Sequence, residues 1–253
     1  VAQASKEKDG IFVNAFLGKM HNQTVDWDGT PRDCCEYFKK LQKKYGPDWY
    51  YYNKKINYKF NEHGFRTKTF EKIDMSKHVV IIGDSIVTGI GNAEEDTIWA
   101  RLETALDMPV INLGVSASGI DSACINSLIL HNNYPPPEAV VHLWSSLDRY
   151  SDFDDNFYNN QRWERVQPNN KHYYARHNWT IRNRFYIEAD RTLWKGKTYY
   201  YEASFFTHTA KEIGVDLFDW VDYARDDDHP GAKSNKIAAE CIAENLKKQG
   251  ISA

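Results

Sequence analysis

The sequence predicts an α/β fold: a three-layer α/β/α sandwich around a central, mostly parallel sheet, preceded by an N-terminal extension. Three observations predict it. From residue 78 onward, short β-branched apolar runs alternate with amphipathic stretches, the pattern of a parallel sheet covered by helices on both faces. The chain has 253 residues, 42% of them hydrophobic, enough for one large domain or a domain with an extension. The composition also shifts near residue 72: positions 1–72 are polar, rich in Lys and Tyr, and weakly periodic. The expected division is an extension at 1–72 and a main domain at 73–253.

Within the extension, Arg32 to Lys44 reads as one helix, ended by Gly46-Pro47. Asn61 to Arg66 reads as a turn, with Gly64 free to take positive φ. In the main domain, His78 to Gly83 (HVVIIG) is a buried strand by length and β-branching. Thr97 to Leu106 is an amphipathic helix, Pro109 to Leu113 a second strand closed by Gly114, and Ser118 to His131 a second helix begun by a capping-type Ser. Three prolines at 135–137 make a rigid connector into a third strand, Ala139 to Trp144. Thr198 to Ile213 reads as a helix ended by Gly214, Val215 to Trp220 as a fourth apolar run, and Ser234 to Lys248 as the C-terminal helix. Residues 149–197 lack clear periodicity and read as an irregular, aromatic-rich insertion. Aromatic residues cluster at 49–60 and 144–223. Ordinary packing is the favoured account of these clusters, with flat faces for sugar rings as the alternative.

Charge and composition exclude several classes. With 32 basic and 35 acidic side chains, a net charge of −3 argues against a nucleic-acid binder driven by a basic face. No apolar run reaches the ~20 residues of a membrane span. The first residues are too polar for a signal peptide, which leaves cytoplasmic, secreted and virion-associated settings all open. Four cysteines without a CxxC pair read as free thiols rather than a disulfide framework or a zinc site. No metal and no cofactor is expected. The oligomeric state is not readable.

Three features converge on the carboxyl ends of the strands, where an open α/β sheet places its site. The first strand runs into Gly83-Asp84-Ser85, followed by Gly89 and Gly91. This loop lacks the Gly-Lys-Ser/Thr ending of a P-loop and the spacing of a dinucleotide fingerprint. A serine at a strand end before a helix can instead act as a nucleophile, its own N–H pointing at a developing oxyanion; a simple turn cap is the alternative. The hydroxyl needs a base, and among nine histidines His229 is the best candidate. Asp226, three residues upstream, can hold its tautomer. A capping Asp, a solvated acidic run or a hard-metal cluster at 226–228 are the alternatives.

In combination, Gly83-Asp84-Ser85 with Gly89, then Gly114 after a second strand, then Asp226-x-x-His229-Pro230 resembles the SGNH hydrolase (GDSL esterase) family over roughly residues 78–248. The resemblance implies Ser85 as nucleophile, His229 as general base, Asp226 as its orienting acid, and the backbone N–H groups of Ser85 and Gly114 as oxyanion donors. It implies a structural role for Asp84, bonding nearby loop amides. The family's third motif, Gly-x-Asn-Asp, is matched only at Asp148: in Ser145-Ser146-Leu147-Asp148, Ser145 takes the Gly position and Leu147 the Asn position, and Leu cannot donate. Losing one oxyanion donor costs about 2.7–4 kcal/mol. Either Ser145 or Ser146 supplies it, or a residue of the insertion (Arg149, Asn156, Asn159) does, or the enzyme is slow or inactive. The implied function is a serine esterase acting on a small ester or acetylated glycan. The alternatives are a non-catalytic carbohydrate-binding or assembly module and an O-acyltransferase.

Overall fold

The computed structural model describes residues 12, 21–27, 32–147, 149, 151–153, 161–163 and 173–252. In chain order the elements are β1 Thr24–Val25, α1 Cys35–Tyr45, β2 Tyr58–Lys59, β3 Val79–Gly83, α2 Ser85–Thr88, α3 Ile98–Leu106, β4 Val110–Gly114, α4 Ile120–Asn133, β5 Ala139–Leu143, β6 Ser151–Phe153, β7 Gln161–Trp163, α5 Tyr173–Trp194, β8 Tyr199–Ser204, α6 Thr207–Ile213, β9 Asp216–Leu217 and α7 Ala232–Lys248.

Five strands form a parallel sheet in the order β4-β3-β5-β8-β9. The all-apolar sequences of β3 and β5 follow from burial on both faces. Alternate residues serve opposite layers. Val79 and Ile81 join Leu102 and Leu106 of α3 and Ile242 and Leu246 of α7, whereas Val80 and Ile82 join Leu130 of α4 and Ile187 and Trp194 of α5. The architecture is therefore the three-layer α/β/α sandwich that the sequence predicts. Register places Gly83 opposite both Gly114 and Leu143, so three strand ends meet at one edge.

Between residues 32 and 72, α1 ends at Gly46, whose φ of +75° and N–H bond to the Gln42 carbonyl (3.0 Å) close the helix where the sequence places its end. The Asn61 turn forms as expected: Asn61 Oδ1 accepts from the His63 and Phe65 N–H groups, both at 3.0 Å, and Gly64 takes φ +79°. Tyr51, Ile56, Tyr58 and Phe60 pack with Ile90 and Ala93, so this aromatic cluster is largely core.

Four expectations are corrected. Residues 198–213 are not one helix: 199–204 form β8, paired with β5, and only Thr207–Ile213 is helical. The run Tyr199-Tyr-Tyr is strongly strand-favouring, and the sheet needs a partner beside β5. The 215–220 run contributes only the two-residue edge strand β9. The 149–197 segment is not irregular throughout, since it holds the β6–β7 hairpin and the 22-residue α5. Among the described residues of α5 the buried positions, Asn183, Ile187, Asp190 and Trp194, have helical spacing, but two of these four are polar, which hides the period. Helix α4 starts after Gly119 rather than at Ser118, whose buried hydroxyl makes no cap. Asp148, Asn156 and Asn159 lie outside the described residues. The four cysteines are free thiols. Among the described residues no helix is long and apolar enough to cross a membrane.

Candidate active site

Ser85 sits where β3 turns directly into α2. Asp84 caps that helix, its Oδ1 accepting from the Ile86 N–H at 3.0 Å. The turn is tight enough that a Cβ on Gly83 would lie 2.6 Å from the Leu143 carbonyl and from Val87 Cγ2, so only glycine fits. Ser85 thereby becomes the first residue of α2, where a backbone N–H has no acceptor within the helix.

His229 approaches from the opposite end of the sequence. The loop before α7 is pinched where Tyr223 and Pro230 face each other in an antiparallel bridge, held by the Ala224 N–H donating to the His229 carbonyl at 2.8 Å and the Gly231 N–H donating to the Asp222 carbonyl at 3.0 Å. Inside this pinch Asp226 Oδ1 accepts from the Asp228 and His229 N–H groups, both at 3.2 Å, and Asp226 Oδ2 lies 2.5 Å from His229 Nδ1. The other ring nitrogen, Nε2, lies 2.7 Å from Ser85 Oγ. Ser85, His229 and Asp226 thus form one continuous chain, although 144 residues separate the hydroxyl from the imidazole.

Exposure is greatest at the middle of that chain. The Asp226 side chain is 1% exposed, that of His229 19%, and Ser85 as a residue 8%. Burial disfavours the His229 imidazolium, but the Asp226 hydrogen bond and the charges of Asp226, Asp84 and Asp228 outweigh it, raising the pKa above the ordinary histidine value. A buried carboxylate on Nδ1 leaves Nε2 as the ring's acceptor toward Ser85. The arrangement can accept a proton from the hydroxyl and hold the resulting imidazolium.

The side of the site that would meet a developing negative charge differs from expectation. The Gly114 N–H donates to Asn112 Oδ1 at 2.7 Å and is therefore not an open donor. Glycine at 114 has another cause: a Cβ there would lie 2.3 Å from the Thr88 nitrogen, so β4 needs it to pass the end of α2. The chain then turns at Ala117, which holds a φ of +62°, a conformation costly for a residue with a Cβ.

In the loop after β5, Ser145 is buried and its Oγ makes no hydrogen bond among the described residues. Ser146 is half-buried, and its carbonyl accepts from the Arg149 N–H at 3.0 Å. Leu147 is buried in the core cluster that holds Trp144 and Ile187. Its N–H donates to Thr209 Oγ1 (3.1 Å) and its carbonyl accepts from Asn183 Nδ2 (2.8 Å). Position 147 is thus a packing position. Arg149 instead reaches back to Asp84, Nη1 to Oδ2 at 2.9 Å, bringing a cation beside the residue that precedes Ser85. Sequence reasoning gave Asp84 only amide partners and missed this ion pair, for which no local signal exists. The three acidic residues 226–228 are each engaged separately: Asp226 with His229, Asp227 with Lys44 and Tyr45, and Asp228 with Arg32. They do not converge on one point.

No protein-family model and no curated protein matches the chain. Several solved structures are similar to it. One is an acetyl xylan esterase from the rumen bacterium Butyrivibrio proteoclasticus, at 10% identity and a TM-score of 0.47 over 69% of this chain and 64% of that one. Another is a carbohydrate esterase family 2 enzyme with a carbohydrate-binding domain from Corynascus, at 15% identity and a TM-score of 0.44 over 69% and 67%. A protein described as a GDSL-like lipase, from Bacteroides uniformis, aligns at 13% identity and a TM-score of 0.42 over 68% of this chain and 96% of that one. The chain spans just under two thirds of the length of the acetyl xylan esterase.

Proposed function

We propose that this chain is a serine esterase of the SGNH type that removes an acyl group, such as O-acetyl, from a carbohydrate. The observation that carries the reading is the chain of contacts from Ser85 Oγ to His229 Nε2 (2.7 Å) and from His229 Nδ1 to Asp226 Oδ2 (2.5 Å), assembled at the strand ends. In this reading Ser85 Oγ attacks the ester carbonyl carbon while its proton passes to His229 Nε2. The carbonyl π pair moves to oxygen, and the oxyanion meets the Ser85 N–H and a hydroxyl of Ser145 or Ser146. The tetrahedral species collapses, the C–O bond to the alcohol breaks, and His229 returns the proton to the departing oxygen. Water, deprotonated by His229, then attacks the acyl carbon, the bond to Ser85 Oγ breaks, and His229 returns the proton to Oγ as the acid leaves. Asp226 holds the imidazolium through the hydrogen bond at Nδ1. Support for a sugar comes from Trp220 and Tyr223, whose rings lie 5.7 Å apart on the segment leading into His229, with Tyr223 56% exposed. Such amphipathic faces suit a pyranose ring.

The second reading, a glycan-binding module without turnover, draws on Leu147, which buries a core side chain where the resemblance calls for an oxyanion donor. One experiment separates the two. A fluorophosphonate should label wild-type Ser85 stoichiometrically, and Ser85→Ala should abolish both labelling and hydrolysis of acetylated oligosaccharides. A folded wild-type chain that binds such oligosaccharides yet resists the phosphonate would reject the esterase.

A further inference from the structure

The segment from 32 to 66 does more than cover the main domain: it bonds to the Ser85 side and the His229 side of the site together. Arg66 is fully buried, and its guanidinium donates to the carbonyls of Gly89 (2.6 Å) and Asn92 (2.8 Å), in the loop that follows α2. It lies over the ring of Tyr58, 4.5 Å from the centroid. The Tyr58 hydroxyl accepts from the Gly91 N–H (2.8 Å) and donates to Asp33 Oδ2 (2.8 Å). Buried Asp33 in turn receives Arg225 through Nε (2.9 Å) and Nη2 (2.7 Å), and Arg225 is the residue before Asp226. The circuit closes through the backbone, where the Arg225 N–H donates to the Gly91 carbonyl at 2.9 Å. A Cβ on Gly91 would lie only 2.9 Å from Asp226 Oδ1, so the serine loop rests directly on the acid that orients His229.

A second strut runs beside the first. Tyr51 donates to Asn92 Oδ1 (2.8 Å) and accepts from the Ala232 N–H (3.0 Å), while Asn92 Nδ2 donates to the Pro230 carbonyl (2.9 Å). Lys44 and Tyr45 of α1 hold Asp227 from outside, at 2.7 and 2.6 Å.

We infer that Tyr58 and Tyr51 are positioning residues: their hydroxyls set the relation between the loop carrying Ser85 and the loop carrying Asp226 and His229. The inference rests on the esterase reading for its kinetic consequence, but the geometry it describes does not. Neither hydroxyl reaches the reacting atoms, so each acts through the 89–92 loop. Because a displacement of about 1 Å can cost ~10²-fold in a positioned reaction, removing one strut should slow acylation without unfolding the chain.

The test compares Tyr58→Phe and Tyr51→Phe with Ile56→Val, a loss of packing in the same cluster that breaks no polar link. Phosphonate labelling of the full chain is followed against pH, together with the low-field NMR proton of His229 Nδ1. Tyr58→Phe should lower the plateau labelling rate by roughly 10–100-fold and move both the pH midpoint and the His229 proton. Ile56→Val should move neither, even at a matched loss of melting temperature. Tyr51→Phe carries the test if Tyr58→Phe does not fold. Wild-type rate, midpoint and proton shift in the folded tyrosine variants, or slowing no greater than in Ile56→Val, would overturn the inference. Failure of wild-type Ser85 to label at all would sink the esterase reading instead, and the NMR proton would still decide the positioning role.

Discussion

Around Ser85 and His229, side chain meets backbone in closed circuits: Asp84 on Ile86, Asp226 on the amides of its own loop, Tyr58 on Gly91. The loop after β5 is built otherwise. It is anchored from behind, through Leu147 in the core and Asn183 of α5, and it leaves the Ser145 hydroxyl buried without a bond among the described residues. In the proposed esterase the first region would activate a hydroxyl. The second, which would stabilise the charge that activation creates, is organised chiefly to pack. A site of this kind should acylate through a well-poised base and a weaker oxyanion hole, and its rate should respond far more to the first region than to the second.

The largest test of that contrast is Asp226→Asn. The amide keeps the volume but not the charge, and the histidine loses what holds its tautomer. The rate of Ser85 acylation should fall on the order of 10³–10⁴-fold. Its pH dependence should also move. The base must be neutral, so wild-type activity should rise with pH through a midpoint above 6.5, the ordinary histidine value. In the variant, burial remains while the strongest opposing interactions are gone, and the midpoint should drop. The same raised pKa has a stability consequence. The imidazolium stabilises the fold fully below the unfolded-state pKa, and that contribution is lost as pH rises through the folded-state value. The most active form is therefore not the most stable one. A midpoint that stays in place in Asp226→Asn would mean that His229 is not the titrating base.

What could be read in advance follows the same division. β3 and the Asp226-x-x-His229 turn were legible because their chemistry is contiguous: a β-branched run names a buried strand, and a carboxylate three residues before an imidazole can reach it within one turn. The anchoring helix α5 was not, because Asn183 and Asp190 occupy its buried stripe. Each has a partner that no local pattern announces: Asn183 bonds the Leu147 and Arg149 carbonyls, and Asp190 meets His142 Nε2 at 2.8 Å and the Tyr200 hydroxyl at 2.7 Å. The aromatic run Tyr199–Tyr201 reads as helix from local pattern because strand identity there depends on pairing with β5. Gly114 was legible as a required glycine but not in its reason, since its N–H is claimed by Asn112 and its missing Cβ by Thr88. The Asp33–Arg225 link spans 192 residues and exists only in the folded chain.

A middle-sized effect tests whether position 147 belongs to the core rather than to the site. Leu147→Asn restores the residue type that the resemblance expects, in line with the motif. Because the side chain packs with Trp144 and Ile187, the amide should enter apolar surroundings and cost about 3 kcal/mol of stability, read by chemical denaturation, with no gain in labelling rate. Faster labelling would show that the loop can turn this residue toward Ser85, and the contrast between the two regions would then be one of sequence rather than of architecture.

The smallest expected effect falls on Ser145, and it sharpens the comparison most finely. If its free hydroxyl donates to the oxyanion, Ser145→Ala should slow acylation about tenfold, less than the loss of an optimally placed donor. The pH midpoint should stay where it is, because His229 and its carboxylate are untouched. Stability should change little, since the hydroxyl has no bond to lose and burying it without one is itself unfavourable. A rate loss with a fixed midpoint would separate charge stabilisation from base activation within one site. An unchanged rate would remove Ser145 from the oxyanion hole and leave the Ser85 N–H and Ser146 to carry the charge.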